Sequence, residues 1–547
     1  MKQTLVVIAG GGPVGMTLAH DLAARGIRCL IAERNPTTTA HPKMDITNAR
    51  TMELFRRAGL AQALRDVAVP EDHCFDVSWI TRFTGSELHR FRYPSVTEAR
   101  AHYRAHNDGS HPAEPPMRVS QVEIEPVLRR AIEGSPLVEV RFGLELESFE
   151  QDGEGVTVKL QDRASGAVET VRCSYLIGCD GGTSRVRSQL DIALSGQSRI
   201  MQRFMTHFRS DAGDLLKRWG NAWHYQSAYG TLIAQNDRDV WTLHTRVAPG
   251  VPVESVNPHE LVAQFVGRPI DMEVLVANPW VPHLVVADAY RQGRVLLAGD
   301  AAHQYIPTGG YGMNTGVADA YDLGWKLAAV LHGWGGPALL DSYEAERRPV
   351  GLRNCDASRR HNEVRVAVGQ LYEPGIHDDT PQGERIRAHA STRIAELGNA
   401  ENECLGIEMG FRYLNSPILP PGPTQDEEFD PLRYVARTDP GVRLPNVFLG
   451  DGSPLHDHLG PWFTLLLFGR ASPGAMVQAA ATLNMPMKMV RVAEPQWAAL
   501  YRTQALVVRP DQHIAWRGEC PADHSDSVAI LRRALGWLSP LASPSRP

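Results

Sequence analysis

Three glycine-bearing turns, each directly after an apolar run, hold the residues of this chain that could do chemistry. The first is Gly10-Gly11-Gly12-Pro13-Val14-Gly15, after Leu5-Val6-Val7-Ile8. Gly10, Gly12 and Gly15 stand in G-x-G-x-x-G spacing. One glycine permits a tight turn, one lets a pyrophosphate reach the backbone, and one lets helix and strand pack closely. The helix opening at Pro13 and Val14 turns free N–H groups and a positive dipole end toward phosphates. A second apolar strand, Cys29-Leu30-Ile31-Ala32, ends at Glu33-Arg34. An acidic residue about 20 positions downstream is what ribose hydroxyls require.

The second turn is Asp180-Gly181-Gly182-Thr183-Ser184-Arg185-Val186-Arg187, after Tyr175-Leu176-Ile177-Gly178. It offers a carboxylate, a tight turn and two arginines near a helix start. The third reads Gly299-Asp300-Ala301-Ala302-His303, then Pro307-Thr308-Gly309-Gly310-Tyr311-Gly312-Met313-Asn314, with Asp319 following. A strand over 294–298 delivers Asp300 to the C-terminal edge of a sheet, where ligands bind in such folds and a carboxylate can accept from sugar or ribityl hydroxyls. The bare backbone after it lets a flat ring lie close, and the next helix points its positive end at that ring. Each segment alone is also an ordinary strand-to-helix turn. Three together point to a bound dinucleotide.

The elements that position these turns alternate between strand and helix. Residues 4–33 read as strand, helix, strand; 48–67 as a helix from Asn48; and Ser120–Ile132 as a helix with Ser120 and Glu123 in capping-box spacing. Short aromatic and β-branched segments over 202–287, such as Ala222-Trp223-His224-Tyr225, predict an antiparallel sheet. The first strand belongs in one sheet with 294–298, so that block is an insertion. Residues 338–368 read as helix. The prolines between Pro417 and Pro431 mark a linker. Beyond 440, strands near 462–468, 488–492 and 504–508 precede a helix near 526–538.

At 547 residues the chain is too long for one core. Net charge of −6 with no basic run argues against nucleic acid as a partner. The seven cysteines, at 29, 74, 173, 179, 355, 404 and 520, include no C-x-x-C pair, which fits a reducing cytoplasm and argues against a metal site. No signal segment and no apolar stretch of membrane-spanning length is found.

These motifs resemble the FAD-dependent aromatic hydroxylases, the single-component flavoprotein monooxygenases related to p-hydroxybenzoate and phenol hydroxylases. Arg50 in Arg50-Thr51-Met52-Glu53 and Gln121 in Gln121-Val122-Glu123 also match, as positions that contact the FAD ribityl-diphosphate in that family. The resemblance is strong over 1–370. The tail Val508-Arg509-Pro510-Asp511-Gln512-His513 is similar to the thioredoxin-like C-terminal domain of the phenol hydroxylase branch, which without a cysteine pair has a packing or dimerisation role.

The resemblance implies an α/β chain. A discontinuous Rossmann-like FAD-binding domain would cover 1–75, 115–190 and 285–370, with an inserted antiparallel-sheet substrate domain over 76–114 and 191–284. A helical segment and linker over 371–435 and a thioredoxin-like domain over 436–547 would follow, in a homodimer. It implies bound FAD, transient NADH or NADPH, O₂, and transfer of an electrophilic OH to a phenolic ring through a flavin C4a-hydroperoxide. The implied cofactor contacts are Gly10, Gly12, Pro13, Val14, Gly15, Glu33, Arg34, Arg50, Gln121, Asp180, Gly181, Asp300, Pro307, Gly310, Gly312, Met313 and Asn314. Pro307 would stand beside the oxygenated ring.

A phenol reacts far better as phenolate, so a base helps. Asp45, five residues before Arg50, resembles the catalytic aspartate of phenol hydroxylase; the alternatives are a solvated loop residue or a pair with Lys43. His224 and Tyr225 must point to opposite faces of their strand, so one lines the substrate pocket and the other is core or surface. Tyr311 either touches substrate or closes its turn. His303 reads as a satisfied core histidine. Arg185 and Arg187 serve nicotinamide phosphates, FAD or helix capping. Competing readings are a polyketide-tailoring FAD oxygenase, an FAD-dependent double-bond reductase, or a flavin-binding interaction module.

Overall fold

The computed structural model describes residues 2–248 and 250–538, so the predicted C-terminal stretch 539–547 lies outside the described residues. Its central sheet places Val295–Leu297, Val168–Gly178, Lys2–Ala9, Cys29–Glu33 and Val138–Phe142 side by side, all parallel. Val6, Val7 and Ile8 are fully buried because helices cover both faces of a parallel sheet. Helices Pro13–Ala24 and Tyr311–Leu331 pack together on this sheet. All three glycine-bearing turns therefore leave the sheet at the C-terminal ends of neighbouring strands.

The second sheet has seven strands, in the order Glu273–Trp280, Arg203–Arg209, Val240–Arg246, Gly230–Ala234, His224–Ser227, Val77–Ile80 and Glu87–Phe91. It is antiparallel, as predicted, except where His224–Ser227 runs parallel to Val77–Ile80. Its two faces differ. One buries Tyr225, Leu232, Leu243, Phe208 and Trp241 against the helix Pro258–Val266. The other carries His224, Gln226, His207, His244 and Arg203 and faces the nucleotide-binding half.

The C-terminal sheet orders Met487–Val492, Phe463–Phe468, Ala505–Val508 and Ile514–Gly518, with the first pair parallel and the rest antiparallel, the thioredoxin-like arrangement. Alternation along it splits two cores. Leu465, Leu467 and Val507 meet Trp325, Trp334 and Leu339 of the nucleotide-binding half, while Leu466, Leu506 and Val508 meet Trp497 and Tyr501.

Local expectations differ at three places. Gly59, at φ +74°, separates the predicted helix into Ala49–Arg57 and Ala61–Arg65. Ser120 caps Gln121–Glu133 by position, but its hydroxyl is buried without a partner, so no capping box forms there. A true capping box, Ser95 with Glu98, starts the helix Val96–Ala105, inside a segment whose charge hid its helical period.

Candidate active site

The first turn is built as its glycine spacing demands. A Cβ at Gly10 would lie 2.2 Å from the Cys179 carbonyl oxygen, and one at Gly15 2.1 Å from the Gly10 oxygen. Those two glycines are there for close packing. A Cβ at Gly12 would meet no protein atom within 4 Å, so this backbone is the face a pyrophosphate can approach. Gly12 caps the helix Pro13–Ala24 with no side-chain hydrogen bond, leaving the first N–H groups for phosphate oxygens. Val14 contributes backbone only, since its side chain fills the groove between Gly299 and Gly316. Glu33 accepts from the Gly11 N–H at 2.7 Å and from Asn35, with exposed Arg34 beside it.

Asp180 accepts from the Arg185 and Val186 N–H groups through Oδ2, while its Oδ1 is buried without a partner. An orphaned acceptor beside Gly181 fits a hydroxyl-rich ligand. Asp300 is exposed to solvent, and the protein packed around it raises its carboxyl pKa against the pull of His303 and Lys43. Gly299 is held by Asp319, which also accepts from His303 at 2.8 Å and Arg347 at 2.7 Å. His303 is thus a core residue as expected, paired through Nε2 only, with its Nδ1 buried and unpartnered. Pro307 is exposed, Gly310 sits at φ +66° against Ile46, and a Cβ at Gly312 would meet nothing within 4 Å. The helix Tyr311–Leu331 opens here without a side-chain cap, so its first N–H groups have no capping side chain.

Several of the expected contact residues have partners within the protein. The Arg50 guanidinium donates to Gln512 at 2.6 Å and to the Asp511 carbonyl, which ties it to the C-terminal unit. Gln121 turns its amide to Glu125 at 2.7 Å. The Asn314 side chain bridges the Asn48 N–H, the Ile46 carbonyl and Gly310, leaving its backbone for the cofactor. Arg187 donates to the Ala301 and Gly182 carbonyls, and Arg185 reaches the Leu146 carbonyl and Glu145. Tyr311 closes its turn, with its hydroxyl on His361 at 2.9 Å. Tyr225 packs on Phe83 in the outer core; alternation sends His224 to the inner face.

Asp45 lies where these parts meet. Its segment is pinned by the pair Ile46–Arg118, by the Val119 N–H on its carbonyl, and by Asn314 of the third turn. Oδ2 accepts from the Trp223 indole N–H and lies 3.2 Å from His224 Nε2; Lys43 is exposed and does not pair with it. Burial opposes ionisation of Asp45, but His224, Trp223 and Arg118 outweigh it and hold the carboxyl below the usual range. The His224 ring lies against Trp223, and its Nδ1 is buried without a partner.

The rest of the inner face was not foreseen. It adds Arg203, His207, His244 and Arg246 from the sheet and Arg365, paired with Glu401, from the helix Ala338–Gly369. The signal was present as alternating Arg203/His207 and His244/Arg246, but the side on which the second half lies is set by tertiary packing.

This chain matches the FAD binding domain family over residues 3–358 and the aromatic-ring hydroxylase C-terminal family over 437–537. It belongs to the FAD-dependent aromatic hydroxylases. FAD is their cofactor, and the cradle described above is where it fits. The chain is 37% identical to the FAD-dependent monooxygenase apdD of Emericella nidulans, covering 97% of this chain and 90% of that one. It is 30% identical to phenol 2-monooxygenase of Pseudomonas sp., covering 100% and 94%. The structure of the rebeccamycin biosynthetic enzyme RebC with reduced flavin superimposes with a TM-score of 0.87 at 34% identity, covering 98% and 99%. The hydroxylase reading of the sequence therefore stands, as does its fold.

Proposed function

We propose that this aromatic hydroxylase uses NADH or NADPH as reductant and acts on a phenolic ring deprotonated by the Asp45–His224 pair. Bound FAD supplies the activated oxygen. The observation that carries the reading is His224, with Nε2 on Asp45 and Nδ1 unpartnered on the face above the cofactor cradle. With Nε2 protonated toward Asp45, the Nδ1 lone pair accepts the phenolic proton, and the Asp45 carboxylate stabilises the imidazolium.

Magnitudes decide which group takes the proton. A phenol near pKa 10 lies about six units above an ordinary carboxylate and about 3.5 above an ordinary imidazole. Full transfer thus costs about 8 kcal/mol to the first and about 5 to the second. Asp45, held below the usual carboxylate range, is poorer still as a terminal acceptor. It orients the ring, and His224 takes the proton.

Gly12, Asp180, Asp300 and the Gly310–Met313 backbone hold the cofactor in this reading, and Pro307 lines the ring's edge. All seven cysteines are unpaired, which supports a cytoplasmic location. No helix among the described residues is long and apolar enough to cross a membrane. The test is single-turnover hydroxylation of phenol by parent, Asp45→Asn and His224→Gln, with product mass measured from pH 6 to 9. Slowed product formation with normal flavin reduction is expected. Parental rates across that range would remove the pair as the base.

A further inference from the structure

We propose that the substrate is extended and carries an anionic oxygen group, bound by Arg203 and Arg246 at the end of the inner sheet face remote from Asp45. The inference rests on the reading of this face as the substrate site. It begins from register. Arg203 and Arg246 are direct cross-strand partners, and both belong to the face that carries His207 and His244. Like charges set opposite each other on one face repel. No carboxylate among the described residues pairs with either; the acid nearby, Glu401, is taken by Arg365 at 2.8 Å.

Burial and the Arg246 and Arg365 charges push the Arg203 guanidinium down to about 9. The fold bears that cost with no internal compensation. Unused donors gather at the same place. Arg203 Nε is buried without a partner, and so is Nε1 of Trp280, its neighbour on the other side. His244, whose ring stands edge-on to Trp280 at 5.7 Å, has its Nδ1 unpartnered as well. Two cations and an indole N–H converging without an acceptor describe a site for an anion.

Its position sets the shape of the ligand. His224, Ile233 and Thr242 form one row across the sheet, and Arg246 lies four residues past Thr242. Four residues of strand span about 13 Å, and two strand spacings add about 10 Å sideways. One phenol ring cannot reach both ends. An elongated aromatic with its hydroxyl at His224 and a carboxylate, or an equally acidic enol, toward the arginines can.

The test uses the FAD-loaded enzyme and equilibrium binding of 4′-hydroxybiphenyl-4-carboxylate, its methyl ester, and 2′,5′-ADP as a mimic of dinucleotide phosphates. Parent enzyme should bind the acid at least tenfold more tightly than the ester. Arg203→Gln and Arg246→Gln should each erase most of that preference and leave ester and 2′,5′-ADP binding unchanged, while Arg203→Lys keeps part of it. Arg246 is exposed, so its replacement leaves the fold standing. Equal affinity of the parent for acid and ester would overturn the proposal. So would variants that keep the preference, or that weaken 2′,5′-ADP alone, which would make the patch a dinucleotide-phosphate site. Tight acid binding without any hydroxylated product would sustain the anion site and count only against the hydroxylase chemistry.

Discussion

Two groups of buried polar side chains in this molecule look alike by composition and differ in how they are satisfied. In the joint with the C-terminal unit, Arg509 donates to Glu346, Asp322 and Asp511, and Lys326 donates to Asp322 and Glu346. No side-chain polar atom of these five is left without a partner. On the inner face of the antiparallel sheet, His224, Gln226, His244, Asn278, Trp280 and Arg203 each keep one buried atom unpartnered. A closed network fixes two units against each other; a network with open valences is shaped for something that arrives. Burial and charge do not separate these two groups, and completeness of pairing does, although His513, His456 and Arg443 elsewhere in the joint each keep one buried atom unpartnered.

The contrast can be broken most forcefully at Arg509. Arg509→Leu takes the guanidinium from Asp511 and leaves Lys326 alone to balance Asp322 and Glu346, and should remove about 3–5 kcal/mol of stability. A thermal or denaturant midpoint equal to the parent's would show that the network does not hold the joint. On the open side, Asp45→Asn should slow hydroxylation of a neutral phenol about a hundredfold while shifting stability by less than about 1 kcal/mol. A large stability loss without a rate effect would move Asp45 to the structural class.

A smaller effect is expected in the cradle. Asp300→Ala removes one acceptor for cofactor hydroxyls and should weaken FAD by about tenfold, in line with a charged hydrogen bond worth about 1.5–3 kcal/mol. Full FAD retention on dilution would dismiss that contact.

The least dramatic expectation concerns pH. Burial depresses His513 to about 4 and His456 to about 3, both in the joint. A histidine lowered in the fold charges first in the unfolded chain. Stability is therefore whole above pH 6.5 and declines as pH falls from 6.5 toward 4. Glu53, on which Arg443 is paired, is held down to about 2 and adds a loss only below the usual carboxylate range. A stability profile flat from pH 7 to 5 would contradict the buried, neutral state of both histidines.

The glycine turns were legible because backbone constraint writes itself locally. Gly10 and Gly15 admit no side chain, and Asp180 and Asp300 follow apolar strands that only a parallel sheet can bury. Asp45 was legible by spacing from Arg50, yet its neighbours Trp223 and His224 were not, since about 180 residues separate them. Arg50 shows the same limit: its motif points to FAD, and nothing in the motif announces the guanidinium's partner 462 positions away.

Sequence alone determined the nucleotide cradle and the order of elements, because each depends on residues near one another in the chain. Tertiary structure decided which face of the inserted sheet turns toward the nucleotide-binding half, which carboxylates are closed into a joint, and that His224 stands against Asp45. Those outcomes turn on which side of a strand meets which neighbour, and a period of two leaves both sides open until the halves pack.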